Sequence, residues 1–216
     1  MSLPERMRDR WANRPEPPEG KGTVYWHALM GRYPEARLAA HAAQSVLGKF
    51  DGFHLTPPEW LHMTVLVAGS AEKIPREQLA PLLDAARTAL DDVAAPDVAL
   101  DRVLYHPEAV MLTVEPAASL RTIRDRVDRA TAAVTGGTVD NEATAAWVPH
   151  MTVGYSTIDQ PAGPIIAALG KSVPTHELVV DALMLVVQWG AERSWNWELI
   201  GAIPLGQAAL RDKTTV

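Results

Sequence analysis

The order of strand-like and helix-like segments predicts an α+β fold of two similar lobes, each a sheet with helices on one face. Three observations carry that prediction. A strand–helix–strand unit recurs in each half of the 216-residue chain. The tetrapeptide His-Met-Thr-Val stands once in each half, at His62 to Val65 and at His150 to Val153. No short-period repeat is present, which argues against a solenoid.

Residues 1–21 read as an arm, because Pro15, Pro17, Pro18 and Gly20 sustain neither a helix nor a central strand. A partly ordered tail is expected there, with Trp11 able to dock on the body, and residues 22–216 are expected to form a single bilobal domain. The first strand is residues 23–30 (TVYWHALM), aromatic and β-branched. A helix follows, with Pro34 in its first turn, Gly48 near its end and Leu38, Ala42 and Val46 on its inner face. Pro57-Pro58 breaks the chain before a strand at 60–68 (WLHMTVLVA), closed by Gly69. Pro75 opens a helix with Leu79, Leu82, Leu83, Ala86 and Leu90 at helical spacing, and Pro81 is expected to kink it or mark its start. Strands at 98–105 and 110–114 turn around Pro107. Ser119 is expected to cap a helix striped by Leu120, Ile123, Val127, Ala130 and Val134 and ended by Gly136-Gly137. A strand at 147–155 (WVPHMTVGY), a short helix over 165–169, and an antiparallel pair at 178–189 and 194–203, turned at Gly190-Ala191, complete the chain.

Composition narrows the function. The hydrophobic fraction of 47% is that of a globular protein with a core, and 21% charged residues argue against wholesale disorder. A net charge of −6 disfavours non-specific binding to long duplex nucleic acid, so an RNA end or a small nucleotide is the better partner. The absence of cysteine excludes disulfides, thiolate metal sites and cysteine nucleophiles. The N-terminal stretch has no apolar secretory core, and no apolar run is long enough to span a bilayer. A cytoplasmic monomer without a membrane partner is the expectation.

The repeated tetrad carries the chemistry. His and Met each occur only seven times, and a second copy by chance has a probability on the order of one in a thousand. In a strand, residues i and i+2 share a face. His62 and Thr64 therefore point one way, as do His150 and Thr152, while Met63, Val65, Met151 and Val153 point into the core. If the two strands lie side by side, two imidazoles and two hydroxyls meet in one cleft. One neutral imidazole can take a proton from an attacking oxygen, and a protonated one can give a proton to the leaving oxygen. The hydroxyls can donate to non-bridging phosphate oxygens. This chemistry needs no metal and no cofactor. A metal site at the two histidines would need a third ligand that no obvious cluster supplies.

On these residues the chain resembles the 2H phosphoesterase superfamily, which includes bacterial 2′-5′ RNA ligases and cyclic nucleotide phosphodiesterases. Its hallmark is two copies of His-x-Thr/Ser-x with an apolar last residue. The approach Pro57-Pro58-Glu59-Trp60-Leu61 and Pro149 before the second histidine match as well, and the likeness runs from Thr23 to about Leu205. The resemblance implies a bilobal α+β fold of two pseudo-symmetric antiparallel sheets, with helices on the outer faces and both motifs lining a central groove. It implies hydrolysis of 2′,3′-cyclic phosphate RNA ends or cyclic nucleotides, with reversible joining of RNA ends through a 2′-5′ bond in some members. His62 and His150 would be the acid–base pair, Thr64 and Thr152 the phosphate binders, and Tyr155 a substrate contact. The tryptophan-rich hairpin VVQWGAERSWNWEL departs from the family's pattern.

Further substrate contacts are expected from His27, Trp26, Trp189 and Arg193: the tryptophans by stacking on a base, with core packing the commoner role for so large a ring, and Arg193 by meeting a phosphate, with a solvated turn the commoner role. Trp195 and Trp197 have the same alternative between stacking and packing. His41, His54, His106 and His176 have no partner pattern and read as surface or structural. Arg121, Arg124, Arg126 and Arg129 read as an exposed helix face paired with Asp125 and Asp128. Two rival functions stay open: a non-catalytic module that binds a nucleotide or RNA end in the same cleft, and a metallohydrolase.

Overall fold

Alternating strand residues and apolar helix stripes build two layered lobes in the computed structural model, which describes residues 3–12, 14, 16–137 and 146–206. Pro15, the other arm positions 1, 2 and 13, and residues 138–145 and 207–216 of the expected domain lie outside the described residues. In chain order the elements are β1 (Arg6–Met7), β2 (Gly22–Ala28), α1 (Pro34–Leu47), β3 (Phe53–Leu55), β4 (Met63–Ser70), α2 (Arg76–Leu90), β5 (Asp97–His106), β6 (Ala109–Thr113), α3 (Ala117–Thr135), β7 (His150–Ser156), β8 (Gln160–Pro161), α4 (Gly163–Leu169), β9 (Ser172–Val179), β10 (Ala182–Trp189) and β11 (Trp197–Pro204).

Two antiparallel sheets carry the fold. One has the order β11-β10-β2-β4 and the other β3-β7-β6-β5-β9, with β1 and β8 as a separate pair. α2 and α3 cover the first sheet, while α1 packs on β9, β7 and β5 of the second with α4 beside it. The two motif strands, β4 and β7, touch each other. Met63, Val65, Met151 and Val153 all lie in the main core, the face that strand periodicity assigns to them. The other face of both strands opens on the groove. The expected α+β architecture is the observed one.

Four local expectations are corrected. The segment 178–189 is not one strand. β9 pairs with β5 in the second sheet, the chain turns at Val180 and Asp181, and β10 joins the first sheet. Asp181 marks that break: its N–H donates to Tyr33 Oη (3.1 Å) and its carboxylate accepts from the same hydroxyl (2.7 Å), so that N–H is taken by a side chain and not by a strand. Of the expected inner face of α1, Val46 packs against the core and is partly buried, while Leu38 and Ala42 are not among the buried residues. Ala36, Ala39, Ala40, Ala43 and Leu47 are buried and Leu38 is 56% exposed. The small alanines let the helix approach its sheet closely, and a leucine at those positions would hold it off. α3 starts at Ala117, and its cap is Pro116, three residues before the expected cap Ser119. Its end is as expected, at Gly136 in the left-handed conformation (φ 70°).

The fourth correction concerns the arm. Its described part is fixed to the body. β1 pairs with β8, Met7 is fully buried, and the Arg8 and Arg10 N–H groups donate to the Pro107 and Ser156 carbonyls (2.7 and 3.0 Å). Trp11 packs edge-on against His54, with centroids 5.6 Å apart, and against Tyr155. Proline leaves the arm without a long strand, but two ladder residues and one buried methionine suffice to dock it.

Candidate active site

The approach to the first motif is set by backbone contact. Gly31 donates its N–H to the Leu61 carbonyl (2.8 Å), and a Cβ on Gly31 would lie 2.3 Å from the Pro58 carbonyl oxygen. Only glycine lets the turn at Pro58–Trp60 lie this close. That turn ends just before His62, so β4 begins at Met63 and not at the expected residue 60. In the second motif β7 begins at His150, directly after Pro149, and not at the expected residue 147.

Both imidazoles are then held alike. His62 Nδ1 lies 2.8 Å from the Trp60 carbonyl oxygen, and His150 Nδ1 lies 2.8 Å from the Val148 carbonyl oxygen. A carbonyl can only accept, so each Nδ1 carries its proton and donates. In the neutral rings Nε2 then holds the lone pair. His62, Thr64, His150 and Thr152 all line one cavity of about 440 Å³, in the size range of small-ligand sites. Tyr155, His106, Leu104, Met111, Trp147, Arg10, Arg14 and Glu192 line it too.

The electrostatics favour neutral imidazoles. Burial pushes the His62 pKa down to about 4, against smaller upward pulls from the Trp60 carbonyl and Glu192, with His150 adding a small downward push. Burial also lowers His150; the Val148 carbonyl opposes this, and His106 and Arg10 add to the lowering. Tyr155 is raised to about 12, chiefly by burial, and so keeps its proton. Beneath His62 lies His27, 1% exposed, its ring 4.6 Å from His62, 4.9 Å from Tyr25 and 5.0 Å from Trp197. Burial, then His62, hold His27 well below the ordinary histidine pKa. Trp197 also meets His62 edge-on at 4.7 Å and ties its indole N–H to Gln188. Trp195, in a left-handed backbone conformation (φ 51°), has its ring 6.2 Å from that of Tyr155, in a small cluster with Met111 and Ala109.

Of the expected substrate contacts, Tyr155 reaches the cavity and four others do not. Trp26 is fully buried on the opposite face of β2, where its indole donates to Thr131 of α3 (3.1 Å). Adjacent strand residues face opposite ways, so Trp26 and His27 cannot share the groove. His27 is on the groove side but sealed under His62. Trp189 lies on the core face of β10, donates to Glu198 (3.2 Å), and packs so close to Gly22 that a Cβ there would sit 2.7 Å from its ring. Arg193 pairs with Glu16 (2.8 Å) and stacks over Trp11 at 5.5 Å, outside the cavity wall. Sequence reasoning missed Arg10, Arg14, Glu192 and His106. The available signal was the run RMRDRWANR, too rich in arginine and too sparing of glycine for a bare linker. His106, expected as surface or structural, lines the cavity and accepts the Glu108 N–H at Nδ1 (3.2 Å). Among the described residues no group of three or more His, Cys, Asp or Glu is arranged to hold a metal, and no helix is long and apolar enough to cross a membrane. Arg124 and Arg126 of α3 are used internally, on the Val65 carbonyl and on Asp92.

A family model described as the 2′-5′ RNA ligase superfamily matches residues 34–192. Similar solved structures include a Thermus thermophilus protein (19% identity, TM-score 0.60, 85% of this chain and 97% of that one). They also include E. coli LigT complexed with ATP (13%, 0.61, 87% and 99%) and the PDE domain of MHV ns2 (16%, 0.54, 85% and 99%). At these identities the likeness is one of fold. No curated protein matches the chain.

Proposed function

The chain belongs to the 2′-5′ RNA ligase superfamily, and we propose on that premise that it is a metal-independent phosphodiesterase acting on 2′,3′-cyclic phosphate RNA ends or cyclic nucleotides. The carrying observation is the matched pair of imidazoles, each fixed through Nδ1 to the carbonyl two residues before it, on a cavity that Thr64 and Thr152 also line. E. coli LigT has been crystallised with ATP, with 3′-AMP and with NADP+, which supports a nucleotide as the ligand class here.

In the proposed hydrolysis one imidazole takes a proton from water at its Nε2 as the water oxygen bonds to phosphorus. The bond from phosphorus to one ribose oxygen breaks, and the other imidazole gives that oxygen its proton. The product is a nucleotide monophosphate with a free neighbouring hydroxyl, often the 2′-phosphate in this superfamily. Burial favours His62 as the acceptor, since it is held neutral to about pH 4. His150 then serves as the donor once an anionic substrate raises its proton affinity. Thr64 and Thr152 donate to the non-bridging oxygens, where negative charge sits in the transition state. Joining RNA ends through a 2′-5′ bond follows the same path with a 5′-hydroxyl in place of water: its oxygen bonds to phosphorus, the bond to the 3′ oxygen breaks, and that oxygen takes the proton from the donor imidazole.

The test is turnover of 2′,3′-cyclic nucleotides in excess chelator by the unaltered chain, His62→Ala and His150→Ala. Loss of at least about 10³-fold in each variant is expected, since each removes one of two proton transfers. Turnover that survives both substitutions would reject the pair. Binding without turnover in the unaltered chain would leave a nucleotide-binding module.

A further inference from the structure

The arm that reads as a tail crosses from one sheet to the other at one end of the groove. Arg10 is its key residue. The Arg10 guanidinium grips Glu192, before β11 in the first sheet, with two bonds: Nε to Oε2 (2.8 Å) and Nη2 to Oε1 (2.9 Å). It also reaches Glu108, on the β5–β6 turn of the second sheet, at 3.4 Å, and lies 4.7 Å over the Tyr155 ring. Arg14 pairs with the same Glu108. Both arginines line the cavity that holds His62 and His150. The arginine side chain at position 10 is only 16% exposed, and the family match starts later, at residue 34.

Resting on the phosphodiesterase reading above, we infer that Arg10, with Arg14 behind it, is the cationic anion-holding side of the pocket and contacts the phosphate oxygens of a nucleotide end. A guanidinium has five N–H donors in a fixed fork, and the two carboxylates engage three of them. Two stay available to an oxyanion in the cavity. The two glutamates fix the fork in place, and Arg10 is close enough to His150 to act on its charge. Through Glu192 and Glu108 the arm also bridges the two sheets beside the cavity.

The experiment measures binding of inorganic phosphate by calorimetry, and KM and kcat for a 2′,3′-cyclic nucleotide. Arg10→Gln should weaken phosphate about 10- to 100-fold, the range for loss of a charge-assisted hydrogen bond, and raise KM more than it lowers kcat. Arg10→Lys should recover part of the loss. A role limited to neutralising Glu192 predicts that the double variant Arg10→Gln, Glu192→Gln binds phosphate like the unaltered chain; that recovery would overturn the inference. Arg14→Gln, at a half-exposed side chain, should weaken phosphate by a smaller factor and serves if the Arg10 variants do not fold; no change there would overturn it too. Failure of the unaltered chain to bind phosphate also overturns it. Phosphate binding that depends on Arg10 without any turnover supports the inference and rejects the phosphodiesterase. Turnover with unchanged KM in Arg10→Gln does the reverse.

Discussion

The two imidazoles predict a separation between the pH profiles of kcat/KM and kcat. In the free chain burial pushes His62 to about 4 and lowers His150 as well. His62 is then neutral and ready to accept above about pH 4, while burial works against the proton that His150 has to donate. The groups acting on His150 are the Val148 carbonyl, which favours its proton, and His106 and Arg10, which oppose it. Above the free pKa of His150, kcat/KM should fall about tenfold per pH unit. A bound phosphate monoanion roughly 4 Å from His150 stabilises the imidazolium by about 4 kcal/mol at an effective dielectric near 20. That corresponds to about 3 pH units as an upper value, and solvent at the cavity mouth reduces it. The alkaline limb of kcat should therefore lie about 1 to 3 pH units above that of kcat/KM, whose own limb falls below pH 6.5. The acid limb of kcat/KM should lie near pH 4, at His62. The assay is initial-rate kinetics on a 2′,3′-cyclic nucleotide at constant ionic strength. Coincident alkaline limbs, or a kcat/KM limb above about pH 8, would refute the reasoning.

Other outcomes follow from the same geometry. Folded His62 binds a proton only near pH 4 and buried His27 also resists one, whereas unfolded histidines bind below about 6.5. The unfolded state then holds more protons below 6.5, so stability is full above that pH and falls as pH drops toward 4, by at most about 3 kcal/mol for His62. Thermal melting should show a lower Tm at pH 5 than at pH 7.5, and a smaller gap in His27→Phe; equal gaps would count against the buried histidine. Trp26→Phe should cost about 1 to 3 kcal/mol in denaturant unfolding and leave the substrate KM unchanged, because the ring faces Thr131 and the core. Thr64→Val should lower kcat about 10²- to 10³-fold, the loss typical of one oxyanion donor, with little change in Tm. Gly31→Ala forces the turn before His62 to move and should lower kcat by about 10²-fold with far-ultraviolet circular dichroism unchanged. Full activity in that variant would show that the turn does not set the imidazole.

Much of the site is legible in the sequence because strand geometry leaves little choice. Once the two tetrads are strands, a period of two puts His with Thr on one face and Met with Val on the other, and Met63, Val65, Met151 and Val153 are indeed core residues. The stripes of α2 and α3 are equally direct. The tryptophans are not legible, since β2 and β10 are apolar on both faces, one against helices and one toward an aromatic groove floor. Alternation then says that Trp26 and His27 differ but not which faces the groove. α1 misleads for a related reason: its larger side chain Leu38 lies outward, and alanines make the contact. The arm is hidden because its partners, Pro107, Ser156, Glu108 and Glu192, are distant in sequence. In a short, polar, proline-bearing segment the arginine-rich run at residues 6–14 is the one local sign of such docking, and it names no partner.

The most direct test is a crystal structure of the chain with bound inorganic phosphate. Both Nε2 atoms, of His62 and His150, should lie within hydrogen-bond reach of one phosphate, with the Thr64 and Thr152 hydroxyls on its other oxygens. A phosphate ordered elsewhere, or touching one histidine while the second turns away, would contradict the account.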